Sequence, residues 1–136
     1  MTALAGALAL TLLAAEPATE VYAIVIGHNG GLAASADQGA LPPLRFADDD
    51  ALKLARSFAA LPGHQRTWVL ARPDEATRAV LEKAALPLPQ LREPTRAALF
   101  AARDELKALL AARPAGRRAV VYLFYAGHGV TGRLLL

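Results

Sequence analysis

The sequence predicts an α/β fold with an open, mostly parallel sheet flanked by helices. Three short segments are apolar and rich in β-branched or aromatic residues, which is typical of strands. The first is apolar on both faces, as in strands that are buried in parallel sheets. Segments with apolar residues at helical spacing lie between them. Right-handed crossovers then build an open parallel sheet that is covered by helices, with the spatial strand order 2-1-3.

The first strand is predicted over residues 21–26, because "VYAIVIGHNGG" is short, β-branched and apolar before a glycine turn. Residues 30–43 are rich in glycine and proline and predict a loop. "RFADDDALKLARSFAAL", residues 45–61, predicts an amphipathic helix that ends at Pro62 and Gly63. Its aspartates lie in the first turn, where the helix dipole favours negative charge.

The second strand is predicted at "RTWVLA", residues 66–71, followed by a short helix around residues 75–85. "LPLPQLREP" is a proline-rich connector, and residues 95–112 predict a long helix. "AVVYLFYA", residues 119–126, is the third and most apolar strand. We expect its outer edge to be bare unless the last residues, "RLLL", fold back over it, and a bare apolar edge promotes association.

The composition limits the functions open to the chain. It contains no cysteine, so these 136 residues hold no disulfide, no thiolate metal site and no cysteine nucleophile. The net charge of +3 comes from scattered arginines without a basic face, so we expect no nucleic-acid partner. "GHNGG" lacks both phosphate-loop patterns, and the spacing of the histidines and aspartates does not demand a metal. We therefore expect no cofactor and no bound metal.

Residues 1–15, "MTALAGALALTLLAA", carry no charged side chain and are too short for a membrane span, which takes about 20 apolar residues. They fit the apolar region of a secretory signal peptide, with Ala14 and Ala15 as the small residues of the cleavage site. Export predicts a periplasmic or extracellular domain. The alternative is an N-terminal helix that belongs to the fold of a cytoplasmic protein.

The predicted strand order places two glycine turns side by side at the carboxyl edge of the sheet, where α/β sheets bind ligands. Gly27-His28-Asn29 follows the first strand and Gly127-His128-Gly129 follows the third. An imidazole in such a turn can serve as a general acid or base, because its unperturbed pKa is about 6.5. The alternative for His128 is an incidental histidine in a strand-end turn. His28 and Asn29 either line the same cleft or cap the strand.

Three motifs in the sequence resemble a known family. "YAIVIGHN", "LRFADDDALKLARSF" and "YLFYAGHG", in this order and at roughly this spacing, resemble the large-subunit half of the caspase-like cysteine peptidases. This group comprises caspases, metacaspases and their bacterial relatives. The resemblance covers residues 20–133, and its most specific part is "YAGHG" at the end of an apolar strand. It implies a caspase-like three-layer fold, a peptide or protein substrate and a histidine–cysteine dyad.

The resemblance also implies roles for individual residues. His128 matches the catalytic histidine, and Gly129 matches the glycine whose N–H helps to form the oxyanion hole. Asp50 resembles the acid of metacaspases that receives an arginine or lysine side chain of the substrate. Otherwise the three adjacent aspartates only cap and stabilise the helix. Arg45 is the rival specificity residue, because it falls close to the arginine of aspartate-cutting caspases.

One part of the implied dyad is missing. In the family the cysteine follows the histidine by about 50 residues on the next strand, whereas eight residues follow His128 here. We therefore expect residues 20–136 to be a partial large-subunit (p20-like) domain, incomplete at its C-terminus and inactive by itself. The alternative is a non-catalytic pseudo-peptidase that binds peptides or protein partners. The sequence does not determine the oligomeric state.

Overall fold

The computed structural model describes residues 19–33, 39–83, 90–130 and 133–136 of the chain. The predicted signal peptide, residues 1–15, lies outside the described residues. The elements in chain order are β1 (Thr19–Gly27), α1 (Ala47–Ala59), β2 (His64–Ala71), α2 (Glu75–Lys83), β3 (Leu91–Arg92), α3 (Arg96–Ala111), β4 (Arg118–Ala126), β5 (Gly129–Val130) and β6 (Arg133–Leu134).

Four strands form a parallel sheet in the order β3-β2-β1-β4. The predicted order is confirmed, because β1 pairs with β2 on one side and with β4 on the other. At the carboxyl edge of the sheet, Gly27 lies opposite both Ala71 and Ala126. β5 and β6 pair with each other as a short antiparallel hairpin after β4.

The proline-rich connector before α3 contains a strand that the sequence did not indicate. Its two residues, Leu91 and Arg92, pair in parallel with the end of β2. Two residues are too few to show the alternating pattern of a strand, so the neighbouring prolines predicted a loop instead. As a result, β2 becomes an interior strand of the sheet.

The side chains of β1 alternate between two hydrophobic cores, one on each face of the sheet. Ala23 and Val25 pack with α1 and α2 on one face. Tyr22, Ile24 and Ile26 pack with α3 on the other face. Helices therefore cover both faces, and the predicted three-layer α/β architecture is confirmed.

The two long helices begin in different ways. Thr95 caps α3, since its hydroxyl accepts a hydrogen bond from the Ala98 N–H at 3.2 Å. Phe46 occupies the same position before α1 and has no side-chain acceptor to offer. The acceptor comes from the turn after β1 instead. Among the described residues, no helix combines the length and the hydropathy that a membrane crossing requires.

Candidate active site at the carboxyl edge of the sheet

The pairing of β1 with β4 brings the two glycine turns together, as the strand order predicts. The strands run in register to their last residues, Gly27 and Ala126. One more backbone hydrogen bond continues the pairing, because the His28 N–H donates to the Ala126 carbonyl at 2.9 Å. The turns that carry His28 and His128 therefore start from adjacent points on one edge of the sheet.

His128 is half-buried, and one of its ring nitrogens is held by the backbone. Its Nε2 lies 2.7 Å from the carbonyl oxygen of Pro42. A carbonyl only accepts hydrogen bonds, so this contact requires the proton of the neutral ring to be on Nε2. Nδ1 then carries the lone pair and can take up a proton.

The loop that supplies the Pro42 carbonyl is closed by backbone pairing. Leu32 and Leu41 exchange two backbone hydrogen bonds of 2.9 and 2.8 Å across the loop. Gly31 lies close against the backbone of residues 41–43, where a side chain would not fit. The segment predicted as a loop of small residues therefore has a fixed end beside His128, although residues 34–38 lie outside the described part of the chain.

The turn after β4 is fastened by Tyr125. The Tyr125 hydroxyl lies 2.7 Å from the carbonyl oxygen of His128 and 2.6 Å from that of Leu135. The Leu135 N–H also donates to the His128 carbonyl, at 3.0 Å. A Cβ at Gly127 would overlap the Tyr125 hydroxyl, so a larger residue here would have to displace that side chain. Burial raises the pKa of Tyr125, so the hydroxyl remains a donor at neutral pH.

The hairpin after the turn leaves the Gly129 N–H free of ladder pairing. In an antiparallel pair, hydrogen-bonded and non-hydrogen-bonded residue pairs alternate. The Leu135 N–H bonds to His128, so the next pair, Gly129 with Leu134, is the non-hydrogen-bonded one. The Gly129 N–H is therefore directed away from β6 and, among the described residues, is available to an external acceptor.

Asn29 joins the turn after β1 to the start of α1. Its side-chain oxygen accepts from the Ala47 N–H at 2.9 Å, and its Nδ2 donates to Asp48 at 2.5 Å. Asn29 thus supplies the cap that Phe46 cannot provide. This contact fixes α1 relative to the carboxyl edge, which is a structural use of a residue predicted either to line the cleft or to cap the strand.

The three adjacent aspartates have different surroundings. Asp48 is fully buried and accepts hydrogen bonds from Asn29 and from the Asp74 N–H, the latter at 3.0 Å. Asp49 accepts from the Thr77 hydroxyl of α2 at 2.5 Å. The Asp50 side chain is exposed and makes no hydrogen bond or ion pair with the described residues. Asp48 and Asp49 are therefore structural, and Asp50 is the carboxylate left available to a ligand.

Arg45 is also exposed, and its guanidinium lies 5.8 Å from the centre of the Phe46 ring. The described hydrogen bonds and ion pairs connect neither Arg45 nor Asp50 to His128. The structure thus places both predicted specificity residues at the start of α1 and leaves the choice between them open.

His28 lines a pocket of about 280 Å³ at the same edge, together with Asn29 and residues that follow β2 and precede α3. Its Nδ1 is buried and lacks a hydrogen-bond partner among the described residues. The nearby Arg72 is paired with Glu93 at 2.7 Å. Within the described part of the chain, no group of three metal-ligating side chains comes together.

Sequence reasoning missed two contributors to this site. Pro42 contributes a backbone carbonyl, and every residue has one, so the sequence carries no signal for it. The sequence pattern predicts Tyr125 only as a strand residue, although an aromatic hydroxyl two residues before a glycine turn is a signal for a contact with that turn.

Comparisons with protein-family models, curated proteins and solved structures found no match to this chain. The sequence motifs and the geometry of the carboxyl edge are therefore the basis for a proposed function.

Proposed function

We propose that residues 20–136 form the histidine-bearing part of a caspase-like cysteine endopeptidase domain, which hydrolyses peptide bonds. The observation that carries this proposal is the state of His128. Its Nε2–H is held by the Pro42 carbonyl, so Nδ1 is the free base, and the adjacent Gly129 N–H is free of ladder pairing. A base beside an unpaired backbone donor is the arrangement that acyl transfer requires.

In this proposal each group has a defined role. Nδ1 of His128 takes the proton of an attacking thiol and later donates it to the leaving amine, while the Gly129 N–H stabilises the oxyanion that forms on the substrate carbonyl. The nucleophile has to come from outside these 136 residues, which contain no cysteine. Asp50 is the proposed acceptor for an arginine or lysine side chain of the substrate, because its carboxylate is exposed and unpaired among the described residues.

The second candidate is a peptide-binding or interaction module without catalysis. It applies if no nucleophile joins the site, because no other residue among these 136 can replace a thiolate beside His128. The same edge of the sheet would then bind a peptide without cutting it.

The test extends the chain with the coding sequence that follows the codon for Leu136 and measures hydrolysis of fluorogenic arginine, lysine and aspartate peptides. We expect activity in the extended protein that is lost in His128→Ala. His64→Ala is the matched control, since His64 bonds to Thr67 within β2 and should not be needed. Activity that survives His128→Ala would refute the assignment. If the extended protein shows no cysteine-dependent activity, the result supports the peptide-binding module instead.

The same assay tests specificity. Asp50→Asn should reduce the preference for basic over neutral peptides by roughly tenfold to a hundredfold, since a hydrogen bond with a charged group contributes about 1.5 to 3 kcal/mol. A wild-type preference for aspartate peptides would point to Arg45 instead.

A further inference from the structure

We propose that Tyr125 is a positioning residue for this site, whose hydroxyl holds the His128 carbonyl and thereby fixes the direction of the Gly129 N–H. The inference rests on the proposed function, which gives that N–H its use as an oxyanion donor. Tyr125 itself does not touch the reacting atoms in this scheme.

One peptide unit, between His128 and Gly129, contains both the carbonyl that Tyr125 contacts and the Gly129 N–H. A peptide bond is planar and trans, so its C=O and N–H point in opposite directions. Whatever holds the carbonyl oxygen of His128 therefore also sets where the Gly129 N–H points. The same peptide unit carries the backbone of the proposed catalytic histidine.

Two donors hold that carbonyl oxygen, the Tyr125 hydroxyl at 2.7 Å and the Leu135 N–H at 3.0 Å. The hydroxyl also reaches the Leu135 carbonyl at 2.6 Å, so its single proton is shared between two acceptors. One side chain therefore connects the end of β4, the turn and the returning chain. The position is specific to tyrosine, since phenylalanine keeps the ring and loses the only side-chain donor at this turn among the described residues.

The geometry on the other side of the turn depends on the same anchor. The His128 ring reaches the Pro42 carbonyl from a backbone that Tyr125 and Leu135 hold in place. If the hydroxyl is removed, the turn keeps one of its two anchors, and we expect the Nε2–H contact with Pro42 to weaken as well.

The experiment compares wild type with Tyr125→Phe in the full chain. The ¹⁵N chemical shifts of the His128 ring report its tautomer, and amide exchange at Leu135 reports the closure of the turn. We expect a predominant Nε2–H tautomer in wild type, a lower fraction of it in Tyr125→Phe, and Leu135 exchange that is about tenfold faster, as the loss of one hydrogen bond implies. A general loss of stability would not change the tautomer of the folded protein.

Tyr122→Phe is the matched control, because Tyr122 lies on the same strand and its hydroxyl has no hydrogen bond among the described residues. It should leave both measurements unchanged. A Tyr125→Phe protein with the wild-type tautomer and wild-type Leu135 exchange would overturn the proposal.

If Tyr125→Phe does not fold, the wild-type protein still decides the question. The Tyr125 hydroxyl proton should exchange slowly enough to be observed, and exchange as fast as that of Tyr122 would overturn the proposal. These measurements need no nucleophile, so a failure of the extended chain to cleave peptides would count against the proposed function and not against Tyr125. In an active extended enzyme, Tyr125→Phe should lower kcat roughly tenfold to a hundredfold with little change in KM, and an effect confined to KM would contradict it.

Discussion

β1 and β4 are neighbouring strands of equal length and similar apolar character, yet β1 is buried and β4 is partly exposed. Every residue of β1 after Thr19 is buried. On β4, Val121, Tyr122 and Leu123 are 44%, 42% and 66% exposed. β1 pairs on both edges, whereas β4 pairs only with β1 among the described residues. The position of a strand in the sheet, and not its composition, therefore decides how much of it is buried.

The positions of the helices explain why the side chains of β4 are more exposed than those of β1. α3 packs Ala102 and Leu106 against β1 and β2, so it leaves Leu123 on the same face uncovered. α1 reaches β4 through Phe58, whose ring centre lies 4.9 Å from that of Tyr122. The described C-terminal residues return to the turn at His128 and do not pair with the edge of β4, so that edge is bare in this part of the chain.

The largest expected effect comes from comparing two residues at the same register position of β1 and β4. Ile24 of β1 and Leu123 of β4 are register partners, 5% and 66% exposed. Ile24→Ala should lower the free energy of unfolding by about 2 to 5 kcal/mol, because it leaves a cavity in the core. Leu123→Ala should change it by about 0.5 kcal/mol or less. Urea denaturation measures both, and equal costs would show that β4 is covered in solution.

A second effect concerns association through the bare edge. An apolar strand with one unpaired edge favours self-association. Leu123→Lys should weaken it about tenfold or more, because burying one leucine side chain contributes about 1.5 to 3 kcal/mol. Sedimentation velocity over a concentration series measures this, with Leu109→Lys on the exposed face of α3 as the control. A wild-type protein that stays monomeric and melts cooperatively would contradict the expectation of an exposed, associating edge.

The contrast between the strands also shows what the sequence could predict. The order of strands and helices followed from hydrophobic periodicity, and the handedness of crossovers then placed β1 between β2 and β4. The bare edge of β4 could also be predicted, whereas the exposure of its side chains on the faces of the sheet could not, because it depends on which strands the helices cover. β3 was missed for a different reason, since two residues carry no periodic pattern.

The candidate site also has features that the sequence could predict and features that it could not. The adjacency of the His28 and His128 turns follows from topology, so the sequence could predict it. The separate fates of the three aspartates could not be predicted, because consecutive helical residues point about 100° apart and only the fold shows what each one meets. The contact between His128 and Pro42 joins residues far apart in the chain through a backbone atom, and no residue pattern records such a contact.

The smallest effect concerns the amino end of the parallel strands, where an ion pair joins the start of β1 to the residue before β4. Glu20 is buried and accepts hydrogen bonds from Arg117 at 2.9 Å and from Tyr22 at 3.0 Å. Burial alone would raise the pKa of Glu20, but these hydrogen bonds and the charge of Arg117 outweigh it and hold the pKa below its ordinary value of 4.5.

A lowered folded-state pKa means that ionised Glu20 stabilises the fold above pH 4.5, and that this contribution is lost as the pH falls through the lowered value. Glu20→Gln should therefore be less stable than wild type at neutral pH, and the difference should shrink as the pH falls below 4.5. Other carboxyl groups with a lowered pKa, such as Glu105, are present in both proteins and cancel in the comparison.

The stability difference between Arg117→Gln and wild type should also shrink as the pH falls, since this change removes the partner of Glu20. Urea denaturation from pH 7 to pH 3 measures the difference, and a difference that stays constant over this range would mean that the pair contributes packing between the two strands and no charge-dependent stability.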